Sequence, residues 1–138
     1  MINSRSLDDL TPGTREKAKA LIAGCLLDGI ALLITSTYRD NASQAALYAQ
    51  GRSTPGHRVT KAKAGHSFHN HRVAFDVVPL VNGKAVWSDG SLWARIGAVG
   101  DLAGLEWGGN WDFEDKPHFQ NTGGVTIAQF IERAKNVT

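Results

Sequence analysis

The sequence predicts one small domain in which α-helices are mixed with β-strands. Its 138 residues are an ordinary length for a single domain, and 42% of them are hydrophobic, which is enough for a buried core. Stretches with apolar residues at helical spacing alternate along the chain with short β-branched runs. We therefore expect residues 1–138 to form a single domain without a second module.

The amino-terminal part of the chain predicts a helix and then a strand. Apolar side chains recur at helical spacing over residues 14–27, after the start signal Thr11-Pro12 and before the stop signal Gly29. The aliphatic and β-branched run that follows, residues 30–37, indicates a buried strand.

A second helix is predicted next, and a long loop follows it. Asp40 or Asn41 can cap the free N–H groups at the start of this helix, and Gly51 ends it. Residues 52–65 are basic, are interrupted by glycine and proline, and show no periodicity, so we expect a surface loop. Loops of this length in a compact domain are often functional.

The middle of the chain predicts a hairpin and a third helix. Residues 73–81 are the strongest candidate strand, and Asn82-Gly83 is a turn signal that returns the chain through residues 84–87. Ser88-Asp89 then caps a helix that we expect over residues 92–102.

Two short strands and a last helix are predicted in the remaining part. The strands are residues 105–107 and 117–119, and a turn rich in glycine and tryptophan joins them, which would bring His118 back beside the sheet. Thr126 and Gln129 have the spacing of a capping box, so we expect a helix that closes the domain by packing on it.

The composition excludes several classes of protein. Fifteen basic and thirteen acidic residues are mixed along the chain, so we expect no nucleic-acid partner. No run approaches the ~18 apolar residues of a membrane span, so we expect no stable membrane insertion. The polar residues 1–10 lack the apolar core of a signal peptide. Cys25, the single cysteine, is expected to be a small buried hydrophobe without a disulfide.

The candidate chemistry is concentrated in two stretches of the chain. His69 and Asp76 can supply two metal ligands and His118 a third, which is the ligand set of a catalytic zinc site that keeps its fourth position for water. Spacing alone does not decide which of the clustered histidines would bind a metal: His66, His69 or His71.

Asp76 lies on an apolar strand, where an unpaired charge costs several kcal/mol. A metal ion or an arginine must therefore compensate its charge. The alternative to a metal site is an ion pair between Asp76 and Arg72 on the same face of the strand.

Four motifs in order resemble a known family of enzymes. They span roughly residues 35–120 and are similar to the zinc D-alanyl-D-alanine carboxypeptidases and L-alanyl-D-glutamate endopeptidases, the VanY-like group that includes phage endolysins. The resemblance implies an α+β fold, with a central antiparallel sheet that is flanked by helices and carries the zinc site. The motifs are Tyr38-Arg39-x-x-x-x-Gln44, Ser67-x-His69-x-x-x-x-Ala74-x-Asp76, Trp107-Gly108-Gly109 and Asp115-x-x-His118.

The resemblance also implies one zinc ion and a role for each matching residue. His69, Asp76 and His118 match the zinc ligands, and Asp115 matches the acidic general base. Arg39 matches the arginine that stabilises the developing oxyanion. The residues at positions that support the site and the substrate are Gln44 and Ser67, and the tryptophan expected to line the substrate groove is Trp111.

Two of these roles have plain alternatives. Arg39 could pair with Asp40 at the surface, and another carboxylate of the same charged stretch, Asp112 or Glu114, could be the base. The three-residue offset from His118 favours Asp115.

Three positions depart from the pattern of the family. Arg72 occupies a position where glycine is common, and a positive φ there would strain any other residue. Gln120 replaces a common glutamate, and Asn110 replaces a common aspartate.

We predict a zinc peptidase that hydrolyses the stem peptide of bacterial peptidoglycan at the L-Ala-D-Glu bond, as a monomeric phage endolysin. It would be made in the host cytoplasm without a signal peptide and act in the periplasm after a holin-type release. The absence of a wall-binding module favours a Gram-negative host by analogy.

Two other functions are the alternatives to this prediction. One is a D-alanyl-D-alanine carboxypeptidase, in which a basic residue of the loop 52–63 binds a free carboxylate. The other is a non-catalytic zinc-containing wall-binding module, against which the presence of both Asp115 and Arg39 argues.

Overall fold

The computed structural model describes residues 1–136, which form one antiparallel sheet flanked by helices. The sheet order is β1-β2-β5-β4, and β3 pairs with the end of β2. This arrangement confirms the predicted α+β class. The helices are α1 (Pro12–Leu27), α2 (Asn41–Ala49), α3 (Gly90–Leu102) and α4 (Ile127–Lys135), and the strands are β1 (Ala31–Ser36), β2 (Ala74–Val81), β3 (Lys84–Ala85), β4 (Glu106–Trp107) and β5 (His118–Gln120).

The register of the central strands separates the core from the site. Phe75 on β2 lies opposite Phe119 on β5, and their rings stack with centroids 5.9 Å apart. Trp107 on β4 continues this stack against Phe119. Because successive side chains on a strand point to opposite faces, the next pair, Asp76 opposite His118, faces away from this aromatic stack.

Helices α1 and α3 supply the other half of the core. Leu21 and Cys25 from α1 and Trp93 and Ile96 from α3 are fully or almost fully buried against the sheet. Burying a large apolar side chain stabilises a fold by about 1.5–3 kcal/mol. Cys25 is fully buried, as predicted for a small hydrophobe, and burial raises the pKa of its thiol to about 11.

The capping residues behave as predicted. Asp40, and not Asn41, caps α2 by accepting a hydrogen bond from the backbone N–H of Ser43. Asp89 caps α3 in the same way. Thr126 and Gln129 form the predicted capping box at the start of α4.

Two segments differ from the prediction. The hairpin strand was predicted to reach residue 87, but β3 ends at Ala85 because its side chains are exposed and bury nothing against the sheet. The carbonyl of Trp87 accepts a hydrogen bond from the indole of Trp93 and directs the chain into α3. Helix α4 closes the domain less tightly than predicted, since none of its residues is fully buried.

The loop predicted over residues 52–65 is confirmed, since no helix or named strand forms there. It lies over the site face and lines the cleft described below. No helix among residues 1–136 is long and apolar enough to cross a membrane.

A close contact between α3 and β4 gives a test of the fold. A Cβ atom at Gly97 would lie 2.3 Å from the Trp107 ring, which is held by a 2.8 Å hydrogen bond from its Nε1 to the carbonyl of Lys116. We expect Gly97→Ala to lower the free energy of unfolding by about 1–3 kcal/mol, because the ring has no free space. Urea denaturation measures this change.

Gly90→Ala is the matched control on the same helix, because the nearest atom to its Cβ is 4.0 Å away. This control should be neutral or slightly stabilising, since alanine favours helix over glycine. Equal stability of the two variants would contradict the packing of α3 on β4.

Candidate metal centre and substrate cleft

Three predicted ligands form a compact potential metal site. No other group of histidine, cysteine, aspartate or glutamate side chains among residues 1–136 does so. The ligand atoms of His69, Asp76 and His118 lie within 4.8 Å of one another. His69 Nε2 and His118 Nδ1 are each 3.3 Å from Asp76 Oδ1. The two histidines are buried, and the site therefore holds its ligands in fixed positions.

The orientation of His69 is set by a backbone carbonyl. Its Nδ1 lies 2.8 Å from the carbonyl oxygen of Thr37, which only accepts hydrogen bonds. In the neutral ring Nδ1 therefore carries the hydrogen, and Nε2 presents a lone pair to Asp76.

Gln120 orients His118 in the same way. Its Oε1 lies 2.7 Å from His118 Nε2 and accepts the hydrogen of that nitrogen, so His118 Nδ1 presents its lone pair to Asp76. At this position, where glutamate is common in the family, Gln120 still provides a hydrogen-bond acceptor for His118 but carries no charge. His118 and Gln120 lie two positions apart on β5. Because side chains two positions apart on a strand point to the same face, this contact could have been predicted from the sequence.

The three facing atoms require a cation between them. Asp76 Oδ1 is buried and makes no well-aligned hydrogen bond, although both ring nitrogens lie close to it. Three acceptors of hydrogen bonds thus point at one another, which is favourable only when a proton or a metal ion is shared. Two imidazoles and one carboxylate fit a catalytic zinc ion, with one coordination position left open.

In the metal-free site, burial and the close approach of the three side chains shift the pKa values of Asp76 and His118. Burial works to raise the pKa of Asp76, but its contacts with His118 and His69 hold it well below its usual range. Burial works to lower the pKa of His118, but the neighbouring Asp76 carboxylate and Gln120 raise it above its usual value.

The alternatives for this cluster do not form. Arg72 does not pair with Asp76, because its guanidinium stacks on Tyr38 and donates to the carbonyl of Asp9. The backbone of Arg72 has φ 64°, so the strained conformation considered from the sequence is present. Two histidines that the sequence left open, His66 and His71, lie outside the cluster.

His66 and His71 instead line a cavity of about 680 Å³ between the start of α2 and α4. We place the functional site in the smaller cleft of about 340 Å³, because that cleft contains all three ligands.

Asp115 lies at the edge of the cleft beside the cluster. Its Oδ2 is 4.0 Å from His118 Nδ1, and partial burial raises the pKa of this half-exposed carboxyl, with the nearby Asp76 charge adding to the effect. Glu114 points to Lys116 instead, and neither Glu114 nor Asp112 lines the cleft. The structure therefore favours Asp115 among the three carboxylates.

The glycine turn explains how Asp115 reaches this position. The backbone N–H of Asp115 donates to the carbonyl of Gly108, and a Cβ at Gly108 would lie 2.3 Å from the Asp115 carbonyl. Only glycine allows the two segments to approach so closely.

Arg39 also lines the cleft. Its Nη1 donates to Gln44 Oε1 at 2.9 Å and its Nη2 to Ser36 Oγ at 3.2 Å, so it is not a surface partner of Asp40. Burial lowers the pKa of Arg39 from its ordinary value, while the charges of Asp76 and Asp115 oppose this effect.

The predicted substrate-binding residues take different positions. Gln44 is fully buried, and its side-chain amide bonds both to Arg39 and to the loop carbonyl of Ala62. Ser67 lines the cleft and caps the short helix that carries His69. Trp111 lies against His118, with ring centroids 5.2 Å apart.

A groove continues from the cleft along the 52–65 loop. It measures about 530 Å³, and Thr60 and Asp115 line both spaces. Two aromatic side chains, Trp111 and Phe113, face three cationic ones in this groove. The cationic side chains are Arg52, Arg58 and Lys61.

Sequence comparison identifies the family. A family model described as D-alanyl-D-alanine carboxypeptidase matches residues 60–121, which include all three ligands and Asp115. The chain is 36% identical over 122 residues to the peptidoglycan L-alanyl-D-glutamate endopeptidase CwlK of Bacillus subtilis, covering 81% of this chain and 73% of that protein. The chain belongs to this peptidase family. The recognition made from the motifs is thereby confirmed.

A solved structure shares the fold of this peptidase. The crystal structure of the Serratia marcescens L-Ala D-Glu endopeptidase ChiX matches with a TM-score of 0.64 and 24% identity, over 86% of this chain and 87% of that chain. At this identity the match concerns the fold alone, and it confirms the helix and sheet arrangement.

Some residues of the peptidase site could not be predicted from the sequence. The carbonyl of Thr37 reaches His69 through a contact between residues 32 positions apart, and the hydroxyl of Ser36 accepts from Arg39 at the irregular end of β1. No local pattern distinguishes them from other residues at the end of a buried strand.

The shifted pKa values predict how pH affects the metal-free peptidase. A histidine whose pKa is raised on folding stabilises the fold below its unfolded value of about 6.5, and this stabilisation is lost as the pH rises through the folded value. With a chelator present, the urea midpoint should therefore fall as the pH rises above about 6.5. Asp76→Asn should flatten this dependence, since it removes the charge that raises the pKa of His118.

His57→Gln is the control, because His57 lies outside the ligand cluster and the variant should keep the pH dependence. A urea midpoint that stays level between about pH 6 and 8 in the chelated protein would contradict the raised pKa of His118.

Proposed function

We propose that the protein is a zinc-dependent endopeptidase that hydrolyses the L-Ala-D-Glu bond of peptidoglycan stem peptides. The observation that carries the proposal is the convergence of three metal-ligating lone pairs in one cleft, whose lining also includes Asp115 and Arg39. CwlK, whose name states this activity, supports the choice of bond.

His69, Asp76 and His118 would hold the metal ion in this proposal. A bound zinc ion polarises a carbonyl and lowers the pKa of a bound water to about 7. The residues of the chain then need to move one proton and to stabilise one developing negative charge.

Asp115 is the proposed proton carrier. It lies beside His118 at the edge of the ligand cluster, and its raised pKa brings it closer to the range in which a carboxylate can both accept and return a proton. We assign it the removal of a proton from the attacking water and the delivery of a proton to the leaving amine.

Arg39 is the proposed oxyanion partner. Its guanidinium is fixed by Gln44 and Ser36 before any substrate binds, so little reorganisation is needed when charge develops on the scissile carbonyl oxygen. A single donor of this kind is typically worth about 3–4 kcal/mol in the transition state.

The groove supports an acidic peptide as the substrate. Three cationic side chains and the single carboxylate of Asp115 line it, and aromatic rings provide apolar contacts for the backbone. An endopeptidase needs binding space beyond the scissile bond, and this groove supplies it because it adjoins the cleft of the metal centre and shares Thr60 and Asp115 with it.

The second candidate is removal of a terminal D-alanine, which the description of the matching family favours. In that reaction a cation in the groove would bind a free terminal carboxylate. The wall-binding module without catalysis is disfavoured by the placement of Asp115 and Arg39 in the cleft. The endolysin role, the release route and the monomeric state remain predictions.

Product analysis tests the proposed reaction. Zinc-loaded protein is incubated with purified peptidoglycan, and the new termini are identified by mass and end-group analysis. We expect new L-Ala carboxyl termini and D-Glu amino termini, and their loss with a chelator or in His118→Ala. Free D-alanine as the main product would instead establish the carboxypeptidase.

Asp115→Asn tests the proton carrier in the same assay. Its kcat should fall by about 10²–10⁴-fold, the usual contribution of a general acid-base group, with zinc content unchanged. Glu114→Gln is the matched control, because Glu114 is the neighbouring carboxylate, pairs with Lys116 and does not line the cleft. Comparable kcat values for both variants would rule out Asp115 as the base.

Charge reversal in the groove tests the substrate class. Arg58→Glu should raise KM by about tenfold for a stem peptide with a free D-Glu carboxylate, because it replaces an attractive charge by a repulsive one. The effect should be smaller for the D-isoglutamine peptide, which lacks that charge. Lys84→Glu on β3 is the control, since Lys84 does not line the groove.

The steady-state KM at low ionic strength is the measurement. An equal change in KM for the acidic and the amidated peptide would contradict recognition of a carboxylate in this groove.

A further inference from the structure

Residues 2–6, which we call the arm, pair with the segment that carries Arg39. Asn3 forms an antiparallel bridge with Arg39. The backbone N–H of Ser4 donates to the carbonyl of Tyr38 at 2.8 Å, and the N–H of Asp40 donates to the carbonyl of Ile2 at 2.9 Å. The arm is therefore held along the segment that carries Arg39 by an isolated bridge and two backbone hydrogen bonds.

A chain of side-chain hydrogen bonds connects the arm to the proposed oxyanion partner. Arg39 Nη2 donates to Ser36 Oγ at 3.2 Å, and Ser36 Oγ donates to Asn3 Oδ1 at 3.1 Å. Residues directly opposite each other in an antiparallel pair have neighbouring side chains, which explains how Asn3 reaches this chain.

The position of Ser36 makes this connection specific. Ser36 is almost fully buried and lies opposite Asp76 across a register shift at the end of β1. Such irregularities redirect side chains next to functional sites. A buried hydroxyl that accepts from Arg39 needs a partner for its own hydrogen, and Asn3 is that partner.

Few contacts fix the orientation of the Arg39 guanidinium. Its Nε is buried without a hydrogen-bond partner in the described part of the chain, so Gln44 and Ser36 are the two side chains that fix its orientation. If Gln44 or Ser36 changed its orientation, the Arg39 guanidinium would be free to rotate out of its position in the cleft.

The arm also contacts the residue that orients His69. The hydroxyl of Thr37 donates to the carbonyl of Ser6 at 2.8 Å, and its backbone N–H donates to the carbonyl of Ser4. The carbonyl of the same Thr37 accepts from His69 Nδ1. The arm therefore contacts both the residue that orients His69 and the segment that carries Arg39.

We propose that Asn3 is a positioning residue for catalysis, which aligns the Arg39 guanidinium through Ser36. The proposal rests on the proposed role of Arg39 in the peptidase reaction. It assigns to the arm a function in the chemical step beyond its contribution to the fold.

Kinetics of three variants of the zinc-loaded protein test this proposal. Asn3→Ala should lower kcat by about tenfold with KM and zinc content unchanged, because it weakens a contact needed in the transition state. Asn3→Asp should keep most of the activity, since it retains an acceptor for Ser36. Ser4→Ala is the matched control, because it removes an arm hydrogen bond, to Asp9, that does not lead to Arg39.

A double-mutant cycle tests the chain of contacts. If Asn3 acts through Ser36, then Asn3→Ala should cause no further loss of kcat when it is added to Ser36→Ala. Additive losses would overturn the proposal, as would equal losses of kcat in Asn3→Ala and Ser4→Ala.

A measurement of side-chain mobility, which does not depend on catalysis, separates this inference from the proposed function. The ¹⁵N relaxation of Arg39 Nε reports how firmly the side chain is held in the metal-free protein. Asn3→Ala should increase its mobility, while Asn3→Asp and Ser4→Ala should not.

The two ideas can then fail separately. Unchanged Arg39 mobility in Asn3→Ala would overturn the positioning by the arm, whatever the activity. Increased mobility with an unchanged kcat would overturn the proposed role of Arg39 in the reaction, and with it the catalytic function of Asn3.

Discussion

The structure depends on one electrostatic constraint, which is that three hydrogen-bond acceptors face one another in a buried space. Asp76 Oδ1 lies 3.3 Å from a ring nitrogen of each of two histidines, and each histidine has its other nitrogen engaged by an acceptor, the Thr37 carbonyl or Gln120. Such an arrangement is unfavourable unless a cation is shared. Burial works to lower the pKa of His118, but the neighbouring Asp76 carboxylate raises it, and the proposed zinc ion would supply the shared positive charge.

The register of the sheet creates this constraint. β2 and β5 place Asp76 opposite His118 on one face and Phe75 opposite Phe119 on the other, so the same pairing builds the site and the aromatic core. A shift by one residue would exchange the two faces and destroy both. The stability of the core therefore fixes the geometry of two ligands.

The remaining groups are held by backbone contacts from distant segments. Asp115 depends on the glycine turn at Gly108, and the segment that carries Arg39 lies between the arm and the short helix of His69. Asn70 in that short helix donates to the carbonyl of Arg39 and completes the enclosure. The cleft is thus assembled from loops whose positions are fixed by the sheet and by one another.

The sequence by itself determined the secondary structure and the ligand types. Apolar spacing, capping residues and β-branched runs predicted the four helices and the strands, because these signals are local. The motifs, through their resemblance to the family, also indicated His69, Asp76 and His118, whereas spacing alone left His66, His69 and His71 open. Only the tertiary structure decided that Arg72 points away from Asp76, that Gln44 is buried, and that Asn3 and Thr37 support the site. The contacts of Arg72, Asn3 and Thr37 join residues more than 30 positions apart in sequence, and such long-range contacts leave no periodic signal in the chain.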